Sequence, residues 1–332
     1  MTRRITIHDV AQAAGVSVAT VSKAINGRDG VAPSTMSHVM RVVDELGYES
    51  SLVATSMRRQ RTGVIGVLVA EFEPFALQLL QGVSTALQGT EYDVLAYAGS
   101  ISAGDHRGWE RRSLSRLGGT LIDGAIVVTP TSTPPAASVP IVAIDPHEGP
   151  EWPSTVSVIN TDGARAATEH LISLGHTRIG HLRGRTDLIS ARQREEGYRS
   201  ALAAAGLPFD AALVADGGYR TADSTAGAHA LLALADPPTA VFAANDLSAL
   251  EMMRVAGERG LRVPDDLSVI GFDDIPEAAS HVPQLSTVRQ PLTEMGAAAV
   301  RVLLSMLAGG GREDVRMPAE LRARRSTAAP SR

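Results

Sequence analysis

The feature that most constrains this chain is the alternation of short apolar runs with helical stretches from Gly63 onward. The apolar runs lie at 64–70, 94–98, 124–128, 139–144, 179–182, 239–244 and 267–272. The helical stretches lie at 76–87, 164–174, 195–205 and 247–259. This pattern predicts a doubly wound parallel sheet with helices on both faces. Because the stretch is long for one such layer, we expect two α/β lobes.

The composition excludes several classes of protein. The 332 residues are 44% hydrophobic and 20% charged, which is typical of a globular chain with a large core. No apolar stretch has the length of a membrane span, and no apolar run follows the basic start of the chain. There is no cysteine, which excludes disulfides, thiolate metal sites and cysteine nucleophiles. We therefore expect a cytoplasmic protein that does not contact a membrane.

The net charge of −5 conceals an uneven distribution. Residues 1–62 contain eight Lys and Arg residues and five acids, so this segment carries +3, and the remainder carries −8. A basic head on an acidic body indicates a nucleic-acid-binding module joined to a second domain.

Helix signals without strand signals fill the first 48 residues. Thr6 can cap a helix from Ile7 to the Ala14-Gly15 pair, and Ser17 can cap a second helix that ends near Asn26-Gly27. A third helix is expected to begin at Pro33. Two short helices joined by a glycine turn form the helix-turn-helix plan, and the partner that this plan predicts is double-stranded DNA.

The second helix presents an outward face that suits the major groove. Lys23, the only lysine of the chain, can donate to guanine O6 and N7. We predict that base edges are contacted by Val18, Ala19, Ser22 and Lys23. We predict that the DNA backbone is contacted by Thr6, Ser17, Thr20 and Asn26. The alternative is that this three-helix unit only packs against another part of the protein.

A series of motifs in this head closely resembles the lactose/galactose repressor (LacI/GalR) family. The motifs are Thr6–Ala11, Ala14–Ser17, Thr20–Lys23, Asn26-Gly27 and Leu46–Tyr48. The resemblance continues through the body, at His170–His176, Ala243–Asp246, Pro264–Asp274 and Leu321–Thr327. It implies an all-α helix-turn-helix head and an α/β body of two doubly wound, Rossmann-like lobes, as in periplasmic sugar-binding proteins.

The resemblance also implies the division of the chain. Residues 1–49 would form the DNA-binding domain, 50–62 a hinge helix or linker, and 63–328 an effector-binding and dimerisation domain. In that last domain the N-lobe would comprise about 63–161 and 291–320, and the C-lobe about 162–290 and 321–328.

In family members the hinge helix enters the minor groove and wedges a base step apart. The matching residues here are Val53, Ala54 and Met57, with Met57 as the wedge. The hinge departs from the family pattern at Ser50, Ser51, Thr55 and Met57, where Pro, Asn, Arg and Leu are usual. Met57 could instead be a linker residue that packs on the body.

The resemblance implies a ligand site in the cleft between the two lobes. Side chains at the carboxyl ends of parallel strands face such a cleft, and Asp145, Asn245 and Asp273 occupy those positions. The resemblance adds Arg194 as a donor to the ligand, Phe75 and Tyr219 as rings beside it, and Gln290. Arg, Asn and Asp side chains together suit a polyol. The usual Asn-Pro-Phe-Phe is replaced by Glu73-Pro74-Phe75-Ala76.

Each of these residues also has a purely structural interpretation. Asp273 could belong to a turn, Phe75 to the core, and Arg194 to a solvated helix face. Asn245-Asp246 could be a helix cap, and Asp246 is the expected capping residue.

Taken together, these features predict a ligand-controlled repressor of carbohydrate-utilisation genes. A homodimer would bind a pseudo-palindromic operator and release it on binding a small sugar effector. One alternative is a regulator that needs a purine-like corepressor. The other is a sugar-binding protein or sugar-processing enzyme without a role on DNA. Because the chain lacks a Walker loop, a Gly-x-Ser-x-Gly elbow and a His-Glu-x-x-His motif, we expect neither an enzyme nor a bound cofactor or metal.

Overall fold

The computed structural model describes residues 5–25, 29–47, 61–99, 108–119, 121–132, 138–147 and 152–331. It divides into two compact units, Met1–Thr62 and Gly63–Arg332. Four residues with predicted DNA contacts lie outside the described residues, namely Asn26, Val53, Ala54 and Met57.

The first unit contains three helices in its described residues, α1 (Ile7–Ala14), α2 (Val18–Ile25) and α3 (Pro33–Leu46). Val10, Val21 and Val39, one from each helix, have no exposed surface and form the centre of its core. Gly15 has φ +64°, a left-handed conformation that ends α1 and turns the chain into α2. The predicted helix-turn-helix arrangement is therefore confirmed.

Side-chain hydrogen bonds fix the beginnings of the first two helices. At α1, the backbone N–H and the hydroxyl of Thr6 both donate to the carboxylate of Asp9, at 2.8 and 2.6 Å. At α2, the backbone N–H of Thr20 donates to Oγ of Ser17 at 3.1 Å. These bonds satisfy polar groups that a helix start otherwise leaves unpaired.

The second unit alternates strands and helices along most of its length. Its described elements, in chain order, are β1 (Val64–Val69), α4 (Pro74–Leu87), β2 (Asp93–Ala98), α5 (Trp109–Leu117), β3 (Gly124–Val128), β4 (Ile141–Ile144), β5 (Thr155–Val158), α6 (Asn160–Ser173), β6 (Ile179–Arg183), α7 (Ile189–Ala204), a 3₁₀ turn (Ala211–Leu213), β7 (Val214–Asp216), α8 (Thr221–Leu232), β8 (Ala240–Ala243), α9 (Asp246–Glu258), β9 (Ser268–Ile270), α10 (Pro276–Ser280), β10 (Thr287–Arg289), α11 (Leu292–Leu307), β11 (Asp314–Met317) and β12 (Glu320–Arg322).

Ten of these strands form two parallel sheets, one in each lobe. Within the described residues, the first sheet has the order β11-β5-β4-β3-β1-β2 and the second has the order β7-β6-β8-β9. The central strands β1, β3 and β4 are buried at every position, as expected for strands that are covered on both faces. The predicted fold class is confirmed.

The chain passes between the lobes more than once. It leaves the first lobe after β5, returns after β10 so that α11 packs on α4, and places β11 at the edge of the first sheet. It then enters the second lobe again, where β12 pairs antiparallel with β10. None of the helices described is long and apolar enough to span a bilayer.

Candidate functional site

A cavity lies between the lobes, at the carboxyl ends of both sets of strands. Six of the seven residues predicted for the ligand site line it, namely Phe75, Asp145, Arg194, Tyr219, Asn245 and Asp273. Gln290 lies behind the wall, where its Nε2 donates to Oδ1 of Asp273 at 2.7 Å. Gln290 therefore positions Asp273 and does not itself line the cavity.

Arg194 is buried on α7, with 4% of its surface exposed, and does not lie on a solvated helix face. Its Nε donates to Oδ1 of Asn160 at 2.8 Å, and its Nη1 donates to the carbonyl of Ala244 at 2.5 Å. Its guanidinium carbon lies 3.8 Å from the centre of the Phe272 ring. These contacts hold the guanidinium in one orientation at the cavity wall.

Two buried aspartates stand beside Arg194. Asp273 Oδ1 is 3.5 Å from Arg194 Nη1, and Asp145 accepts a hydrogen bond from the backbone N–H of Val158 at 3.2 Å. Burial raises the pKa of each carboxyl to about 6, and the positive charge of Arg194 opposes this rise. The wall therefore offers a fixed donor beside two strong acceptors.

Asn245 has a structural role in addition to its place at the cavity. Its Oδ1 accepts a hydrogen bond from the backbone N–H of Ser248 at 3.0 Å, so it is Asn245 that caps α9. Its Nδ2 donates to the carbonyl of Tyr219 at 2.9 Å. The expectation that Asp246 is the cap is wrong, because the Asp246 carboxylate is buried and accepts from the Ile275 N–H and the Thr287 hydroxyl.

Two aromatic side chains border the same cavity. The hydroxyl of Tyr219 lies 3.2 Å from Oγ of Ser190, and its ring centre lies 5.6 Å from the Arg194 guanidinium carbon. Phe75 is the second residue of α4 and also packs against the core of the first lobe. The Phe75 side chain therefore belongs to the core of the first lobe and also lines the cavity, as both interpretations of the sequence predicted.

Backbone strain is concentrated around this cavity. In the described part of the chain, the non-glycine residues with positive φ are Thr129 (47°), Asp145 (44°), Tyr219 (71°), Asp273 (120°) and Asp274 (62°). Four of these line the cavity, and the fifth, Asp274, accepts from Arg324 at 2.6 Å. Conformations of this kind cost free energy and persist where the surrounding structure imposes them, commonly at binding sites.

Among the cavity residues that were not predicted from the sequence are Glu73, Trp109 and His147. Burial raises the pKa of Glu73 to about 7, and the charges of Asp273 and Glu71 add to the rise. Burial, with the nearby charge of Arg185, lowers the pKa of His147 to about 3. The only sequence signal for these three residues was that Glu73 replaces the Asn that is usual in the family. Trp109 and His147 belong to no motif.

In the head, the predicted base-reading residues share one side of α2. Ala19 and Lys23 are exposed, while Val18 and Ser22 are half-buried. Thr6 and Ser17 are exposed at the starts of their helices, and Oγ of Ser17 lies 2.8 Å from Oγ1 of Thr20. A helix start that carries exposed hydroxyls suits a DNA phosphate.

Comparison with known proteins identifies the two parts of the chain. Residues 6–51 match the family described as bacterial regulatory proteins, lacI family. Residues 168–327 match the periplasmic binding protein-like domain.

Similar proteins match nine-tenths or more of the chain. The HTH-type transcriptional regulator CelR of Thermobifida fusca is 35% identical over 336 residues, which are 96% of this chain and 96% of that protein. The HTH-type transcriptional repressor PurR of Photobacterium profundum is 33% identical, covering 90% and 91%. The ribose operon repressor of Halalkalibacterium halodurans is 32% identical, covering 91% and 90%.

Solved structures give the same result. A complex of the transcriptional regulator CelR with cellobiose aligns with a TM-score of 0.72 and 32% identity, covering 97% of this chain and all of that one. The lac repressor dimer bound to operator and the anti-inducer ONPF aligns with a TM-score of 0.81 and 26% identity, covering 98% and 100%. With a helix-turn-helix head, a two-lobed body and relatives that match both in one chain, this protein belongs to the LacI family of DNA-binding transcriptional regulators.

Proposed function

We propose that this regulator is a repressor of carbohydrate-utilisation genes that a sugar effector releases from a pseudo-palindromic operator. Two copies of the chain would place two heads on two half-sites, as two-fold symmetry requires. The sugar would occupy the cavity between the lobes and favour a different angle between them. Only the difference in its affinity for the two arrangements can drive release.

The observation that carries this proposal is the arrangement of Arg194, Asp145 and Asp273 in the cavity wall. A fixed guanidinium offers N–H donors, and the two carboxylates accept hydrogen bonds from hydroxyls. Neighbouring hydroxyls of a sugar present donors and acceptors at this kind of spacing. Two of the similar proteins are named for a sugar, the CelR–cellobiose complex and the ribose operon repressor, and this likeness supports the same ligand class here.

A second candidate is a regulator whose ligand strengthens DNA binding. The rings of Phe75 and Tyr219 both line the cavity and could stack on a flat, purine-like molecule. A corepressor of this type would make the complex with DNA tighter, whereas a sugar inducer would weaken it.

The test is a fluorescence-anisotropy titration on DNA from upstream of the protein's own gene. It is run at fixed salt, because affinity for DNA depends steeply on salt. Sugars, sugar phosphates and purines are then added to the preformed complex. Release by a sugar, with a change in affinity of about 5- to 150-fold, supports the proposal. Tightening by a purine would establish the second candidate and contradict the first.

Asp273→Asn is the variant that tests the site. It removes the buried charge beside Arg194, so we expect operator binding to persist and the ligand response to be lost. Asp265→Asn is the matched control, because its carboxylate is in the same lobe but is exposed and pairs with Arg262. Retention of the full response in Asp273→Asn would contradict the site assignment.

Lys23→Ala tests the reading of DNA by α2. We expect the variant to lose about 1–3 kcal/mol of discrimination in binding free energy at one base pair of the operator, with little change at the other base pairs. Arg41→Ala, which removes an exposed cation from α3, is the comparison. A uniform loss across all operator variants would make Lys23 a phosphate contact and not a base contact.

A further inference from the structure

Polar side chains stand at each of the three places where the described chain passes from one lobe to the other. Asn160 lies two residues after β5, at the first crossing, and its Oδ1 accepts a hydrogen bond from Nε of Arg194 at 2.8 Å. Gln290 directly follows β10, at the second crossing, and its Nε2 donates to Oδ1 of Asp273 at 2.7 Å. Arg324 lies two residues after β12, and so occupies the corresponding place at the third crossing.

The partner of Arg324 is Asp274, the neighbour of Asp273 in the chain. Nη2 of Arg324 donates to Oδ1 of Asp274 at 2.6 Å, and the two side chains are only 19% and 15% exposed. Nη1 of Arg324 donates to the carbonyl of Leu285 at 2.9 Å, and its backbone N–H donates to Oγ of Ser286 at 2.9 Å. These bonds fix the guanidinium between the loop after β9 and the segment before β10.

The loop that Arg324 contacts has a strained backbone. Asp273 and Asp274 are consecutive non-glycine residues with positive φ, at 120° and 62°. Such a backbone costs free energy, so the loop keeps it only while its contacts impose it. The N–H of Asp273 donates to the carbonyl of Val288 at 2.8 Å, and its carbonyl accepts from the N–H of Gln290 at 3.2 Å. Within the residues that the structure describes, the Asp274 carboxylate accepts a hydrogen bond from Arg324 alone.

Arg324 and Asp274 stand behind the cavity wall, whereas Asp273 belongs to it. Oδ1 of Asp273 is 3.5 Å from Nη1 of Arg194. Because φ of Asp273 sets the direction of its side chain, the position of this carboxylate depends on the backbone of the turn. Relaxation of the turn would therefore move the carboxylate relative to Arg194, although every residue that lines the cavity is unchanged.

We propose that Arg324 is a positioning residue, which holds the strained turn through its ion pair with Asp274 and so keeps the Asp273 carboxylate beside Arg194. This inference rests on the proposed function only in taking the cavity as the ligand site. The same ion pair ties the cavity wall to the third crossing, on which any change in the angle between the lobes acts.

Amide hydrogen exchange of the full-length chain without ligand tests the turn directly. We expect exchange at residues 271–276 to be about 5- to 30-fold faster in Arg324→Gln than in wild type, and exchange in β6 and β8 to be unchanged. Arg322→Gln is the matched control, because it removes an arginine of β12 whose pair with Glu320 is exposed. An unchanged rate at 271–276, or an equal acceleration throughout the second lobe, would overturn the inference, since neither result leaves Arg324 a local role.

A double-mutant cycle shows whether Arg324 acts through Asp274. Asp274→Asn removes the charge but keeps a residue type that tolerates positive φ. We expect this variant to accelerate exchange at 271–276, and the double variant to exchange no faster than Arg324→Gln alone. Two effects that multiply would mean that Arg324 acts through another partner, such as the Leu285 carbonyl, and would contradict the proposed route to Asp273.

Calorimetry with cellobiose and ribose measures the consequence for the cavity. We expect Arg324→Gln to bind the sugar that the wild type binds about 3- to 10-fold more weakly, while its affinity for operator DNA without sugar stays at the wild-type value. Arg322→Gln should match the wild type in both measurements. A wild-type affinity for sugar in Arg324→Gln would overturn the inference and leave the proposed function intact. If neither sugar binds the wild-type chain, the failure lies with the proposed function, and the exchange rates at 271–276 still decide whether Arg324 holds the turn.

Discussion

At the scale of single residues, Glu73 adds a carboxylate to a cavity that already holds Asp145 and Asp273. Its pKa is raised from 4.5 to about 7, first by burial and then by the charges of Asp273 and Glu71. The folded protein therefore holds this proton at pH values where the unfolded chain has lost it. The stability that Glu73 contributes is complete below about pH 4.5 and is lost as the pH rises through about 7.

The side chain in Glu73→Gln cannot ionise, so the variant should not lose this stability as the pH rises. We expect the free energy of unfolding of the variant, relative to wild type, to rise by about 2 kcal/mol between pH 5 and pH 8. Thermal unfolding of the ligand-free protein at several pH values measures this difference. Glu91→Gln, which removes an exposed carboxylate, controls for the change in net charge. A constant offset between Glu73→Gln and wild type at every pH would show that the Glu73 carboxyl is not perturbed.

The residues of the cavity wall that lie in recognisable motifs could be predicted from the sequence. The residues that reach the cavity only through long-range packing contacts could not. Asp145, Asn245 and Asp273 each follow an apolar run, so they lie at the carboxyl ends of strands in the two sheets, and both of these ends face the cavity. Trp109 reaches the cavity only because Gly99 has no side chain and Glu110 is tied to the loop after β3. Those long-range contacts leave no periodic signal in the sequence.

At the scale of elements, α4 and α11 cross with their backbones in close approach. A Cβ atom on Gly82 would lie 2.0 Å from the carbonyl oxygen of Thr293, and one on Gly296 would lie 2.2 Å from that of Leu79. Backbone atoms cannot move aside as a flexible side chain can. Both positions therefore require glycine for steric reasons.

Gly82→Ala should consequently separate the two helices. We expect a loss of about 3 kcal/mol or more in the free energy of unfolding, or failure to fold. Gly257→Ala on α9 is the matched control, since a Cβ there meets nothing within 4 Å. We expect the free energy of unfolding of this control to increase by about 0.5–1 kcal/mol, because Ala has a higher helix propensity than Gly. Equal effects of the two substitutions in urea unfolding would be inconsistent with this packing.

The boundaries of β1 and β3 were predicted to within one residue, because these strands are continuous apolar runs that are buried at every position, whereas boundaries near the cavity were predicted less well. The helix predicted to begin at Glu195 begins at Ile189, because Ser190 and Arg194 line the polar cavity and the residues between them show no apolar repeat. The strands β5 and β7 were not predicted, and they are only four and three residues long. Their pairing with neighbouring strands, which sequence periodicity does not reveal, is what defines them.

At the scale of the whole molecule, the two lobes are linked across the cleft by an ion pair as well as by the chain. Nη2 of Arg220, in the second lobe, lies 2.7 Å from Oε1 of Glu71, in the first. Arg220 lines the cavity, and Glu71 lies two residues before Glu73, which also lines it. The pair therefore holds the two lobes close together and opposes their opening.

Glu71→Gln should weaken this closure without touching the predicted ligand contacts. Both side chains are partly exposed, at 48% for Glu71 and 38% for Arg220, so the pair contributes at most about 1 kcal/mol and salt screens it. We expect the proposed sugar to dissociate about 2- to 5-fold faster from the variant at low salt, and at nearly the wild-type rate in 1 M salt. Stopped-flow dissociation at both salt concentrations measures this. Glu313→Gln is the control, because it breaks the exposed Arg301–Glu313 pair within the first lobe and should leave dissociation unchanged. An acceleration that persists in 1 M salt would mean that Glu71 acts on the ligand itself and not on closure of the lobes.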